Sequence, residues 1–304
     1  MFEFESVAGD GVLINVHDWE PDTVRAVVII AHGAAEHGAR YARVAQRLNE
    51  HGYAVYAPDH RGHGRTGQAA IMGVFAASDG WNKAVADLDQ LVSLARQRHP
   101  GVPVALIGHS MGSFMAQQYL GEYGTHIDAL VLSGSTELSG FADLIPLLQA
   151  EAAQQGRDAP SVLMGQMMGG GFNEGFTDGD TGYEWLSRDP VEVARYVDDP
   201  LCGFELSTGA WLDMIAANRI PAEPTDFGSI DRHLPIYLFA GEHDPVNAGM
   251  TGLRALERVY SNAGFDRLDT CYYPEGRHEM LNETNRDQVT DNLVRWLDTH
   301  LLSD

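Results

Sequence analysis

The chain has 304 residues, and at ~150 residues per domain that length accommodates one large domain or two smaller ones. Hydrophobic residues make up 44%, enough for a full core, which excludes a disordered chain or a disulfide-stapled mini-protein. With 20 basic and 43 acidic side chains the net charge is -23, a surface that repels phosphate backbones and excludes nucleic acid as a partner.

At the N-terminus, Met1-Phe2-Glu3-Phe4-Glu5 places acids where a signal peptide needs a basic start and an apolar run. No segment approaches the ~20 apolar residues of a membrane span. A cytoplasmic protein without a stable membrane anchor is the expectation. Val12 to His17 and Ala26 to Ala31 are runs rich in β-branched residues, and the second is apolar throughout, as in a parallel strand covered on both faces. Arg40 to Glu50 carries Tyr41, Val44, Ala45 and Leu48 at helical spacing, and Gly52 follows as a stop. Tyr53 to Ala57 is the next strand. Ser78 or Asp79 is placed to cap a long helix through Trp81, Val85, Leu88, Val92 and Ala95. Val104 to Gly108, a helix from Met111 to about Tyr123, and Ala129 to Ser133 continue the alternation. Strands separated by single helices predict an α/β fold with a mostly parallel central sheet flanked by helices.

The alternation stops between Glu137 and Gly228. Helical pieces are expected at Phe141 to Gln155, Val191 to Val197 and Ala210 to Ala217, with no strand. A loose run, Met164-Gly165-Gln166-Met167-Met168-Gly169-Gly170-Gly171, has the backbone freedom of a mobile segment. Alternation resumes at Pro235 to Ala240, then a helix from Ala248 to Ser261, the strand Leu268 to Tyr273 and a helix from Arg286 to Leu302. Residues 1–136 and 229–304 therefore read as one core, and 137–228 as a helical cap over its active edge. Cys202 and Cys271 are too few for a disulfide framework and read as reduced core residues.

Gly108-His109-Ser110-Met111-Gly112 is a G-x-S-x-G between a strand and a helix, the setting in which a strained turn exposes a serine nucleophile. Such a serine needs a base, and the base needs an orienting acid. Chain order places these after later strands, where Gly241-Glu242-His243-Asp244-Pro245 and Gly276-Arg277-His278-Glu279 stand. Asp244 is preferred to Glu242 because it lies further out on the turn and the proline fixes it. Two backbone amides must hold the oxyanion: Met111, after the nucleophile, and Ala34, in His32-Gly33-Ala34-Ala35-Glu36-His37. Thirteen histidines raise a metal site, but His32, His37, Asp59, His60 and His63 lack a recognised ligand spacing, so loop-ordering hydrogen bonds are expected and no metal or cofactor. His17 reads as incidental.

These residues resemble the α/β-hydrolase superfamily, in its monoacylglycerol lipase and bacterial lysophospholipase branch. The shared motifs are His32 to His37 with Tyr41, Asp59-His60-Arg61-Gly62-His63-Gly64, the Ser110 elbow, Gly241 through Val246, and His278-Glu279. Ala35 stands where that branch usually has glycine. The resemblance implies an α/β-hydrolase fold with the cap inserted late in the sheet.

Both lines point to a serine-dependent carboxylic ester hydrolase, with Ser110, His278 and Asp244 as nucleophile, base and orienting acid; the resemblance implies a small acyl ester such as a monoacylglycerol or lysophospholipid as its substrate. Leu144, Leu148, Met164, Met167 and Met168 are the cap residues expected at an acyl chain, methionines adapting to several shapes. A short-chain carboxylesterase and a serine aminopeptidase are the alternatives. The second would need cap acids such as Asp143, Glu151, Glu174, Asp178, Asp180 or Glu184 to bind an α-ammonium. A non-catalytic binding protein would be expected to have lost part of this set.

Overall fold

A computed structural model describes residues 2–217 and 227–302. Its strands are β1 (Phe2–Val7), β2 (Leu13–Trp19), β3 (Ala26–Ala31), β4 (Tyr53–Pro58), β5 (Val104–His109), β6 (Ala129–Ser133), β7 (Ile236–Gly241) and β8 (Leu268–Tyr273). They form one sheet in the order β1-β2-β4-β3-β5-β6-β7-β8. The order reverses at β3, and from β4 to β8 every pairing is parallel; β2 is antiparallel to both β1 and β4. The sheet is thus the expected mostly parallel one, with one strand that chain-order reading passed over. Strand β1 pairs with β2 from Phe2 opposite Asp18 to Val7 opposite Leu13, and its Phe4 packs against the core.

Parallel strands bury both faces, and β3 shows how. Val27, Ile29 and Ala31 enter one apolar cluster while Ala26, Val28 and Ile30 enter the other, as a period of two demands. The helices are α1 (Ala42–Asn49), α2 (Gly64–Gln68), α3 (Gly80–Arg98), α4 (Met111–Tyr123), α5 (Ile145–Gln155), α6 (Val162–Gly165), α7 (Pro190–Asp198), α8 (Thr208–Ala217), α9 (Thr251–Asn262) and α10 (Arg286–Leu301). Trp81 and Leu88 of α3 and Met115 and Leu120 of α4 fill the first cluster. Val44 and Leu48 of α1 and Leu293 and Leu297 of α10 fill the second.

Asp79 flanks α3 but does not cap it as expected. Its φ is 53°, and its carboxylate accepts from the Asn82 side chain at 2.6 Å. The Gly80 amide instead donates to Asp213 of α8 at 2.9 Å, so a helix far along the chain satisfies the start of α3.

The segment between β6 and β7 is helical: a 3-10 stretch Ser139–Leu144, then α5 to α8. Among the described residues its one β-type contact is an isolated bridge between Pro160 and Ser207. The methionine-glycine run is not an open loop. Ser161 caps α6 by accepting from the Met164 amide, and Gln166–Gly171 continues as a π-helical turn. Residues 218–226, the end of the expected cap, lie outside the described residues. Among the described residues no helix is long and apolar enough to cross a membrane.

Candidate active site

Ser110 joins β5 to α4 with φ 50° and ψ -120°, a conformation unfavourable for a residue with a side chain. Its neighbours explain why the turn can close. A Cβ on Gly112 would lie 2.0 Å from the Ala31 carbonyl oxygen, and one on Gly108 would lie 2.5 Å from the Gly112 carbonyl oxygen. Hydrogen bonds hold the strained residue on both sides: its amide donates to Ser133 O at 2.9 Å, and Ser113 Oγ donates to its carbonyl at 2.6 Å.

Asp244 and His278 come from the ends of β7 and β8. Asp244 Oδ2 is 2.9 Å from His278 Nδ1, and its Oδ1 accepts from the Val246 amide, also at 2.9 Å, as the first turn after Pro245 begins. Glu242 is exposed, so of the two acids on this turn it is Asp244 that meets the histidine. Burial alone would lower the His278 pKa; the charge and hydrogen bond of Asp244 outweigh it and raise the value above that of a free imidazole. The ring packs between His109 and Trp185, each with its centroid 4.9 Å away, and against Gly134, where a Cβ would come within 2.9 Å of Cε1. His278 and Ser110 line one cleft.

The loop after β3 lies against the serine. A Cβ on Gly33 would approach Ser110 Cβ to 3.2 Å. The Gly33 amide donates to Glu36 Oε1 at 2.6 Å, and Tyr41 donates to the same oxygen at 2.9 Å. Arg40 binds Glu36 through one nitrogen and Glu279 through two, at 2.7 and 2.8 Å. Burial would raise the Glu279 pKa, but Arg40 holds it well below the usual carboxylate range. His32 donates from Nδ1 to the Gly33 carbonyl at 2.8 Å and accepts the His60 amide at 3.0 Å, which fixes a neutral tautomer. Asp59 gathers His17 Nε2, the Gly38 and Arg65 amides and Asn15. His17 is therefore part of the loop-ordering network and not incidental. Ala35, the residue that stands in place of glycine, has φ 53°.

The cleft continues past Ser110, Ala34 and Met111 into an apolar groove lined by Phe114, Phe141, Met164, Met167, Met168, Phe172, Trp211 and Met214. Three of the expected cap residues, Met164, Met167 and Met168, are thus brought to the serine. Leu148 is fully buried and Leu144 partly buried in the core cluster, and neither lines the groove or the cleft. Three of the acids an aminopeptidase would need are engaged elsewhere: Glu151 with Ser161 and Thr208, Glu184 with Thr181 and Asn173, Asp178 with Arg277. Asp143, Glu174 and Asp180 do not line the cleft, whereas Glu205, absent from the sequence reading, does. Burial raises the Glu205 pKa. Tyr183, Trp185, Tyr196 and Phe204 also line the cleft. Sequence reasoning also missed Arg40, although Glu36 four residues before it was a usable signal.

The sequence matches the family model described as serine aminopeptidase S33 over residues 22–285. It is 33% identical over 300 residues to a monoacylglycerol lipase of Mycolicibacterium smegmatis, covering 97% of each chain. A monoglyceride lipase homolog of monkeypox virus is also 33% identical, covering 94% of this chain and 92% of the viral protein. Among solved structures, a thermostable carboxyl esterase from Bacillus coagulans superposes with a TM-score of 0.89 at 25% identity, over 99% of this chain and 98% of that one. A lipase in an open form superposes at 0.84 with 29% identity, over 99% of both chains.

Proposed function

The chain belongs to the serine aminopeptidase S33 family of α/β-hydrolases, in its monoacylglycerol lipase branch, and is an ester hydrolase; from that premise we propose that it cleaves long-chain monoacylglycerols or similar acyl esters through an acyl-enzyme on Ser110. The observation that carries this reading is the continuity of the buried Asp244-His278 pair with a cleft that holds Ser110 and opens into a methionine-lined groove.

His278 Nδ1 is held by Asp244, which leaves Nε2 for the serine. As Ser110 Oγ bonds to the ester carbonyl carbon, Nε2 takes its proton, and the Met111 and Ala34 amides receive the oxyanion. Collapse breaks the bond to the alcohol, which leaves with the proton from His278. Water, deprotonated by the same nitrogen, then releases the acid and restores the serine. Residues 137–228 act as a cap whose methionines adapt to the acyl chain. Of the acids that line the cleft, Glu36 and Glu279 are paired with Arg40, and it is Glu205 that favours an uncharged glyceryl leaving group over a phosphorylated one.

A panel of nitrophenyl esters of graded length, a monoacylglycerol, a lysophospholipid and an aminoacyl anilide tests the proposal. The monoacylglycerol and the longer nitrophenyl esters should give the highest kcat/KM. Best turnover on the anilide would establish an aminopeptidase instead, and best turnover on acetate esters a short-chain esterase.

A further inference from the structure

Ala35 occupies a left-handed conformation, φ 53°, that disfavours any residue with a Cβ. Something must hold it there, and the partners of its carbonyl oxygen identify what does. That oxygen accepts two hydrogen bonds, from Tyr196 Oη at 3.0 Å and from the Gly203 amide at 2.9 Å. Both donors belong to the segment between β6 and β7, not to the sheet that carries the loop. The same joint is reinforced on either side: His37 Nε2 is 3.0 Å from Asp199 Oδ2, and the Arg40 guanidinium lies 5.0 Å above the Tyr196 ring.

We propose that Tyr196 is a positioning residue for the oxyanion hole: its hydroxyl, with the Gly203 amide, keeps Ala35 left-handed and so makes the aim of the Ala34 amide depend on a seated cap. The mechanics follow from what is fixed. Downstream of Ala35 the chain is pinned to the core, Glu36 by Tyr41 and the Gly38 amide by Asp59. Upstream, Glu36 holds the Gly33 amide and His32 the Gly33 carbonyl. Relaxation of φ at Ala35 is therefore taken up in the short stretch between these anchors and strains the Gly33-Ala34 peptide that aims the Ala34 amide beside Ser110. Lifting the cap would withdraw both donors together and leave the strain unopposed, so that full transition-state stabilisation develops only with the cap in place. This rests on the reading of Ser110 and Ala34 given above.

The test compares the wild type, Tyr196→Phe, and Tyr196→Phe combined with Ala35→Gly. Nitrophenyl acetate serves as substrate because its acyl group is too short to need the methionine groove. A trifluoromethyl ketone, whose adduct with the serine carries an oxyanion, reports on the hole itself. Tyr196→Phe should lower kcat roughly tenfold, less than the 10²–10³ for deleting an oxyanion donor outright. KM should change less than about twofold, and the ketone's Ki should rise in step with the loss in kcat/KM. Adding Ala35→Gly should recover most of the loss, since glycine takes this φ without strain. Asp199→Asn, which loosens the joint at His37, should produce a smaller loss of the same kind and provides the readout if Tyr196→Phe folds poorly. Unchanged kcat and Ki in both loosened variants, a loss confined to KM, or a loss that glycine does not recover would overturn the proposal. Ser110→Ala separates the two claims: if it is inactive while the joint variants behave as wild type, only the role of Tyr196 is wrong.

Discussion

Asp244 Oδ2 and His278 Nδ1 lie 2.9 Å apart with 2% of the imidazole side chain and none of the carboxylate side chain exposed. An ion pair so placed is little screened by salt, and it raises the imidazole pKa despite burial. A raised pKa carries a cost for a general base, which must be neutral to accept a proton. The acid limb of kcat/KM should therefore inflect above the ordinary imidazole value of ~6.5. Asp244→Asn should move that inflection down and cost on the order of 10⁴ in kcat, while Glu242→Gln, an exposed position, should do neither. A pH-rate profile of the three proteins on one nitrophenyl ester decides it.

Four other buried histidines predict an acid-labile fold. Burial lowers His60 to about 3 and His63 and His109 to about 4, and lowers His32 as well. These rings stay neutral in the folded protein but bind protons near pH 6.5 when unfolded. The unfolded state then holds more protons, so stability rises with pH and is lost as pH falls from about 6.5 toward 4. His278 opposes the trend: its raised pKa adds stability below the unfolded value, lost as pH rises through the folded value. The four outweigh the one, and Tm should fall across that acid window. His63→Gln should flatten the fall; a Tm independent of pH there would refute this account.

Arg40 neutralises Glu36 and Glu279 in a buried cluster. Arg40→Met should destabilise the protein by about 3–5 kcal/mol, because two carboxylates are left without their cation. Combining it with Glu279→Gln should return part of that stability, which denaturant unfolding of the two variants will measure.

The methionine groove predicts a selectivity change distinct from a stability change. Met168→Trp, at the junction of cleft and groove, should lower kcat/KM for long acyl esters by roughly tenfold or more while acetate-ester turnover changes little. Leu148→Ala, fully buried and away from the groove, should instead cost about 2–5 kcal/mol of stability with the ranking across the ester series unchanged. Rates over a chain-length series, with melts on the same samples, separate the two effects.

Much of this was legible because it is written locally. Ala26–Ala31 and Ala129–Ser133 coincide with their predicted spans, since an apolar β-branched run between turn residues has one good solution in a parallel sheet. The elbow was legible because the glycines flanking Ser110 are needed for backbone approach, whatever the rest of the chain does. What escaped is long-range. Tyr196 and Ala35 are 161 positions apart and Arg40 and Glu279 are 239 apart, and no periodicity ties such pairs together. The cap leucines misled for a related reason: an apolar helical face states that it is buried, not whether it is buried against the core or against a ligand. Leu148 took the core, and Met168 the groove.

The most direct measurement of the central claim is active-site labelling. The wild-type protein, treated with a fluorophosphonate and digested, should carry the adduct on Ser110, and Ser110→Ala should lose both labelling and monoacylglycerol hydrolysis, with turnover falling by about 10⁶. Near-wild-type ester hydrolysis by Ser110→Ala, or stoichiometric labelling of a different serine, would contradict the account.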